Sequence, residues 1–341
     1  MSRSKLYADV TGVTKPLSIN VSTSHGSSTA SATIECVEFT GSINDEITID
    51  LGYIDYHQQV FKGYIKQIDQ KVKPNVYTIT AQDILIRAAD YFMVSDNPET
   101  PYTWSDISAE DLVADVLDMA GLSGLIVPLP TNFTFGTKQD VEANLLSAYD
   151  FIKNIADILA WHLYADVNGD IYFLNRKPYP MLAGSIEQNQ PGWTVDVPIT
   201  TPLTVGLILD ATFTRSERDL RNRVVVYGTG GIKAVAEEES CFLPTGFRKS
   251  AVFSGAELVD KQSIADDSAE YNLTLYHRLS KVGSLTVLGD PELIARKTVN
   301  LDALAINAEF TGEWYIFSAE HSWSNAGYTV GLDLRSFELC P

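Results

Sequence analysis

The sequence has few of the residues that build covalent or metal-bound scaffolds. Its three cysteines, Cys36, Cys241 and Cys340, stand far apart and form no CxxC pair. A structural zinc site needs closely spaced cysteines, and a disulfide framework needs an even number of them. We therefore expect neither a zinc site nor a disulfide framework, but small buried or half-buried thiols.

Long apolar runs are also missing. No stretch approaches 18 uncharged apolar residues, so the sequence predicts no membrane-spanning helix and no membrane insertion. The first ten residues lack the apolar core of a signal peptide. We therefore expect the protein to be made and assembled in a cytoplasm.

Positive charge is scarce as well. The chain has 25 Lys and Arg against 44 Asp and Glu, a net charge of −19. Such a chain repels phosphates, so we expect no specific nucleic-acid binding. Residues 96–150 alone hold ten acids and the single base Lys138, a net of −9. We interpret this segment as a solvated face. The alternatives are a surface for a basic partner and a surface that does not retain passing DNA.

Motifs for enzymatic chemistry are absent from the sequence. A Walker loop, HExxH and GxSxG do not occur. The glycines that begin at Gly228 follow a strand pattern, but Lys233 stands where a dinucleotide loop needs its third glycine. We predict a simple turn there.

The histidines and one acidic loop are the remaining candidates for a site. The acidic loop, residues 166–170, lacks the spacing and terminal Glu of a calcium-binding EF-hand, and a hairpin turn explains it. The histidines are scattered without metal-ligand spacing, and we interpret all five as structural: His25, His57, His162, His277 and His321. The sequence thus predicts no catalytic, cofactor-binding or metal-binding residue and no cofactor, and it leaves the interface residues unknown.

The pattern at both ends of the chain favours strands. Residues 31–39, 45–52, 60–68 and 77–81 read as short strands separated by turns, as in a barrel or sandwich. After residue 205, strands are predicted at 223–228, 285–288, 298–301, 314–319 and 328–334. A helix over 263–279 is also predicted there, capped by Ser263 with Asp266.

The middle of the chain reads as α+β. A short helix fits residues 82–92, and two Ser-x-x-Asp boxes, at Ser108 and Ser147, each open an amphipathic helix. Asn168-Gly169 between two apolar runs predicts a β-hairpin. At 341 residues the chain is expected to form two or three domains. We divide it into a first β-barrel domain (1–95), an inserted α+β domain (96–204) and a second β-barrel domain with one helix (205–341).

At three places the order of strands and turns resembles the central tail hub family of phage baseplates, which is similar to the hub part of type VI secretion spike proteins. The first is the series of strands from Asp45 to Asp83. The second is the helix from Ser147 with its hairpin around Asn168-Gly169. The third runs from Gly289-Asp-Pro to Gly327-Tyr-Thr-Val. The family tends to have a glycine shortly after Gly-x-Pro, where this chain has Ala295 and Arg296.

The resemblance implies a fold that is mainly β, with an α+β insertion and two tube-type antiparallel β-barrel domains. It also implies a homotrimer that joins a six-fold tail tube to a separate three-fold spike protein and lines the channel. Other baseplate proteins and the tape-measure protein are further expected partners, and the expected location is the virion tail. A channel for DNA gains from acidic residues that repel phosphate.

Two other classes stay open at the level of sequence. A tail-associated or secreted glycan hydrolase would need two carboxylates that converge in a cleft. A carbohydrate-binding adhesin would expose aromatic side chains such as Trp104, Trp193 or Trp323, although tryptophans are more often core or interface anchors.

Overall fold

The chain is mainly β, with an α+β segment between two β-rich regions, which confirms the predicted fold class. The structure is a computed structural model and is described for residues 5–25, 29–95, 100–128, 133–136, 140–159, 161–175, 201–203, 207–239, 243–254, 259–301 and 308–336. No helix within these ranges is long and apolar enough to cross a membrane.

The first β-rich region consists of six strands. In the fourth, Ile47, Ile49 and Leu51 are fully buried while Thr48 and Asp50 stay partly exposed, as the alternation predicts. The strands are β1 (Leu6–Val10), β2 (Val13–Ser24), β3 (Ser31–Phe39), β4 (Glu46–Tyr53), β5 (Tyr56–Lys71) and β6 (Val76–Asp83).

The middle segment contains three helices and short paired strands. Both predicted capping serines are confirmed, since the Asp111 and Asp150 amides donate to Ser108 Oγ and Ser147 Oγ at 3.1 and 3.0 Å. The elements are α1 (Ile86–Asp90), β7 (Phe92–Met93), β8 (Tyr102–Trp104), β9 (Ile107–Ser108), α2 (Ala109–Met119), β10 (Thr134–Phe135), β11 (Val141–Ala143), β12 (Leu146–Ser147), α3 (Ala148–Ile158), β13 (Trp161–Ala165) and β14 (Ile171–Asn175).

The last region returns to strands and adds one long helix. In its final strand, Tyr328, Val330, Leu332 and Leu334 are all buried, as the alternation predicts. The elements are β15 (Thr201–Leu203), β16 (Ile208–Arg215), β17 (Arg223–Tyr227), β18 (Lys233–Glu237), β19 (Ser250–Phe253), α4 (Gln262–Arg278), β20 (Lys281–Leu288), β21 (Thr298–Leu301), β22 (Gly312–Ser324) and β23 (Gly327–Ser336).

One twelve-stranded sheet joins the two β-rich regions. Its main path runs β1-β4-β5-β6-β3-β2-β22-β23-β20-β16, and β21 pairs with β22 while β15 pairs with β21. The connection between the regions is the antiparallel pairing of β2 with β22, from Ser18 opposite Ser324 to Ser24 opposite Ser318. The first and last parts of the chain therefore form one continuous hydrogen-bonded ladder.

Two large apolar cores follow from this arrangement. One belongs to the large sheet and mixes side chains from both β-rich regions, from Val10 to Leu334. The other extends from Ile84 to Leu273 and packs helices α2 and α3 together with the inner face of β17 and β18 and with α4. The second core therefore includes part of the region after residue 205.

Two predicted helix boundaries differ from the structure. Helix α1 is shorter than 82–92, because Gln82 and Asp83 belong to β6 and pair with β3 and β5. The capping box of the last helix is wrong: α4 begins at Gln262, its N-cap residue Lys261 makes no side-chain cap, and the exposed Ser263 lies inside the first turn. Asp266 instead accepts a hydrogen bond from Gln262 Nε2 at 2.9 Å. The helix starts one residue early, which moves Ser263 out of the capping position.

Candidate functional site

A polar site with a buried carboxyl lies where the three parts of the chain meet. Asp83 ends the first β-rich region, Tyr164 belongs to the hairpin of the middle segment, and Arg296 precedes β21 of the last region. The Arg296 guanidinium lies over the Tyr164 ring at 4.2 Å and donates to the Ser24 carbonyl at 3.0 Å. This junction connects all three regions through one side chain.

Asp83 is the buried carboxyl of the junction. One oxygen accepts from the Ala30 amide at 2.6 Å and the other from the Leu85 amide at 3.0 Å. Burial raises the pKa of Asp83 from 3.8 to about 7, against the opposing effect of the two amides and of the Arg296 charge. The side chain therefore holds the loop before β3 and the start of α1 in place.

Arg296 stands in a backbone conformation that favours glycine. Its φ is +75°, and its amide donates to the Ile316 carbonyl at 2.9 Å. It is one of the two residues found where the tail hub family tends to have glycine. The backbone therefore keeps a left-handed conformation at Arg296, and its side chain takes part in the junction. In the sequence, the only sign of this role was the absence of the family's glycine.

A second set of contacts joins β5 to the other two regions. Tyr56 Oη donates to Asp290 Oδ1 at 3.2 Å, and Gln58 Nε2 donates to the Pro291 carbonyl at 2.6 Å. The next residue, Gln59, donates from Nε2 to the Val167 carbonyl in the hairpin at 2.6 Å. Sequence reasoning missed these contacts because polar residues at a strand's start carry no signal of a distant partner.

Three histidines lie in separate packing contacts. His57 Nδ1 is 2.9 Å from Asp50 Oδ2, and its ring stacks on Tyr7. Burial lowers the pKa of His321 to about 4, and its Nδ1 is 2.7 Å from Tyr328 Oη. Burial also lowers the pKa of His277 in α4, an effect that Glu238 at 3.7 Å opposes.

The other two histidines come together near the junction. His25, after β2, and His162, in β13, meet with ring centroids 4.2 Å apart. His25 Nδ1 also lies 2.6 Å from Tyr315 Oη of β22. Their separation in the sequence gave no sign of this pairing. The interpretation of all five histidines as structural stays a prediction.

The predicted turns are confirmed. In the hairpin, Asp166 Oδ1 accepts from the amides of Asn168 and Asp170 at 2.8 and 2.9 Å, so the turn itself uses this carboxylate. The loop from Gly228 is a turn in which the Gly228 amide donates to the Ile232 carbonyl at 3.0 Å. Among the described residues, no three His, Cys, Asp or Glu side chains are placed to hold a metal ion.

The candidate aromatic and thiol residues lie mainly in the cores. Trp104 and Trp323 are buried, and Trp104 stacks on Phe151. Cys36 is a buried free thiol, as predicted. Trp193, Cys241 and Cys340 lie outside the described residues.

The acidic segment presents most of its described carboxylates to solvent, as predicted. The exposed acids there are Asp106, Asp111, Asp115, Asp118, Asp140, Glu142 and Asp150. Three of these acids, Asp111, Asp115 and Asp118, lie on the exposed side of α2. The opposite side of the helix buries Leu112, Val113, Val116 and Leu117. The helix is therefore amphipathic with an acidic outer face.

Comparison with solved structures places this fold among phage tail proteins. The 43 kDa tail protein of prophage MuSo2 from Shewanella oneidensis has a TM-score of 0.68 at 15% identity, over 97% of both chains. The tail protein of Neisseria meningitidis MC58 has a TM-score of 0.68 at 10% identity, over 98% of this chain and 97% of that one.

A third similar structure comes from a secretion system. The E. coli c3393 protein is described as a component of the type VI secretion system with structural similarity to the T4 tail proteins gp27 and gp5. It has a TM-score of 0.60 at 7% identity, over 96% of this chain and 76% of that one. No family model and no curated sequence matches the chain.

The fold is therefore that of phage tail and type VI secretion spike-related proteins. This result confirms, at the level of the fold, the predicted resemblance to the tail hub family.

Proposed function

We propose that the protein is the structural central hub of a phage or phage-derived tail baseplate. Three copies would form a ring that joins a six-fold tail tube to a separate three-fold spike protein and lines the channel. Other baseplate proteins and the tape-measure protein are further proposed partners, and the virion tail is the proposed location. The observation that carries the proposal is the match to a phage tail protein along 97% of both chains.

The large sheet supports a ring. Its path ends at β1 and at β16, and within the described residues neither strand pairs with a further strand on its outer side. Open edges invite pairing with another chain, and cyclic closure satisfies every edge with the same contact. Each subunit has two β-rich regions, so a ring of three subunits would present six docking surfaces to a six-fold tail tube.

The acidic balance supports a role at a channel. The net charge of −19 and the exposed acids of residues 96–150 suit a surface that DNA passes without binding.

A structural role without catalysis is also part of the proposal. The Asp166 carboxylate is used by its own turn, and Trp104 and Trp323 are buried in cores and unavailable to a glycan. The buried tryptophans favour the hub over an adhesin that uses these two residues. The similar solved structures, which are tail and secretion-system proteins, favour the hub over the glycan hydrolase.

Light scattering on the purified full-length chain tests the proposal. We expect a mass three times the chain mass of 37.5 kDa at high concentration or after addition of the spike protein. A permanent ring is expected to bury more than about 2,000 Å² per interface. A chain that stays monomeric and binds neither its tail-tube protein nor its spike protein would contradict the hub assignment.

A further inference from the structure

Two short antiparallel ladders bring together the parts of the chain that precede α2 and α3. Strand β7 pairs with β12, and β8 pairs with β11. We name residues 91–95, 100–106 and 140–147 the ribbon. Its inner side chains, such as Met93 and Trp104, are buried in the second core. Since side chains alternate along a strand, the residues next to these point to the outer side.

The outer side of the ribbon is apolar at one end. Phe92, Val94 and Leu145 are 55%, 52% and 66% exposed. Phe92 and Val94 flank the buried Met93, and the Leu145 amide donates to the Met93 carbonyl at 2.8 Å, so Leu145 lies beside them. Exposed large apolar side chains that lie together mark an interaction surface, whereas single ones do not.

The backbone at Leu145 is a second sign of a functional surface. Its φ is +59°, in the left-handed region that favours glycine or asparagine over leucine. Strained residues of this kind are concentrated at functional sites. The chain therefore keeps a large apolar side chain where neither the backbone nor its own core favours one.

The other end of the outer side is acidic. Glu142 is exposed between two buried residues of β11, and Asp140 and Asp106 are exposed further along the ribbon. Asp140 accepts a hydrogen bond from Ser105 Oγ at 2.5 Å, a neutral donor that leaves the negative charge in place. The three ranges that define the ribbon contain no Lys or Arg.

Two bases near the apolar end contact other side chains. Arg87 lies over the Tyr64 ring at 3.8 Å, and Lys66 pairs with Asp90. Lys138 lies outside the described residues. The described outer side of the ribbon is therefore apolar and negative, and a partner that complements it in both respects is apolar and basic.

We propose that the outer side of the ribbon, defined by Phe92, Val94, Leu145 and Glu142, is a docking surface for a segment of a partner protein that carries apolar and basic side chains. Repulsion of phosphate requires carboxylates but no exposed apolar side chains, so the apolar end distinguishes this surface from one that DNA only passes. A second copy of this chain is disfavoured as the occupant, because its net charge of −19 would repel these acids.

Fluorescence anisotropy with the full-length chain tests the surface. The probe is a labelled peptide with leucines in its first half and lysines in its second half, separated by serines. We expect it to bind the wild type at least about tenfold more tightly than the same peptide with glutamates in place of the lysines. Leu145→Asn and Phe92→Ser should each weaken binding of the lysine peptide about tenfold, because an apolar contact is lost. Glu142→Gln should weaken it about threefold.

The matched controls are Val72→Asn and Glu320→Gln, whose side chains are exposed in the two β-rich regions. Both should bind the lysine peptide like the wild type. Asparagine tolerates the left-handed backbone, so Leu145→Asn should keep the fold, which circular dichroism checks.

Three results would overturn the inference. The first is a wild type that binds the lysine and glutamate peptides alike. The second is binding of the lysine peptide that Leu145→Asn, Phe92→Ser and Glu142→Gln leave unchanged or that the two controls weaken equally. The third is a lower mass of Leu145→Asn than of the wild type in light scattering at the same concentration, because the surface would then join two copies of this chain.

Discussion

Asp83 shows how one buried carboxyl can join distant parts of a chain. Its two oxygens hold two backbone amides, from the loop before β3 and from the start of α1, at the point where the first β-rich region passes into the middle segment. A buried carboxylate is costly unless its hydrogen bonds and a counter-charge offset the loss of hydration. Here the amides and Arg296 offset only part of that cost, since the pKa of Asp83 stays raised to about 7.

This raised pKa predicts a specific dependence of stability on pH. Between about pH 4 and 7, folded Asp83 binds a proton that the unfolded chain has released. Its contribution to the free energy of unfolding is therefore fully present below about pH 4 and is lost as the pH rises to about 7. The loss amounts to at most about 4 kcal/mol. Urea denaturation of the wild type and of Asp83→Asn from about pH 4 to 7 measures this loss. It is the change with pH in the difference between the free energies of unfolding of the two proteins.

The matched control is Asp69→Asn, because Asp69 is exposed on β5. That variant should follow the wild-type pH profile. A difference between wild type and Asp83→Asn that stays constant from about pH 4 to 8 would mean that Asp83 titrates in the folded state as it does in the unfolded chain.

At the scale of elements, the helix starts provide a direct comparison. Ser108 and Ser147 accept the amides of Asp111 and Asp150 and so satisfy one otherwise unpaired donor each. We expect Ser108→Ala and Ser147→Ala each to lower the free energy of unfolding by about 1 kcal/mol. Chemical denaturation measures both values.

Ser263→Ala is the control for these two variants. Ser263 has the same spacing to an acid but lies exposed inside the first turn of α4, and it should change stability by less than about 0.5 kcal/mol. A loss as large as that of Ser147→Ala would show that Ser263 caps the helix after all.

For the whole molecule, the division into residues 1–95, 96–204 and 205–341 remains a proposal. The large sheet has its own core, so we expect it to fold when residues 96–200 are replaced by a short Gly/Ser linker. The replacement would uncover the inner face of β17 and β18, which shares the second core with α2 and α3. The variant should therefore keep its β signal and a cooperative thermal transition while binding more of a hydrophobic dye. Loss of the cooperative transition would count against a separable insertion.

Local rules allowed much of the fold to be predicted from the sequence. Alternation in β4 and β23, the serine caps of α2 and α3, and the Asn168-Gly169 turn all depend on residues within a few positions of each other. These patterns follow from the period of the strand, the free amides at a helix start and the backbone freedom of glycine. Each of these depends only on residues that are close in the sequence.

The tertiary structure alone decided what depends on distant partners. The pairing of β2 with β22, the meeting of His25 with His162, and the use of Arg296 at the junction join residues more than 100 positions apart. Helix α4 starts at Gln262, one residue before the serine that the sequence suggested as its cap. This start also depends on distant partners, because the helix packs on β17 and β18. A one-dimensional pattern fixes which face of an element is apolar, but the partner of that face is chosen by which packing buries the most apolar surface with its polar groups paired.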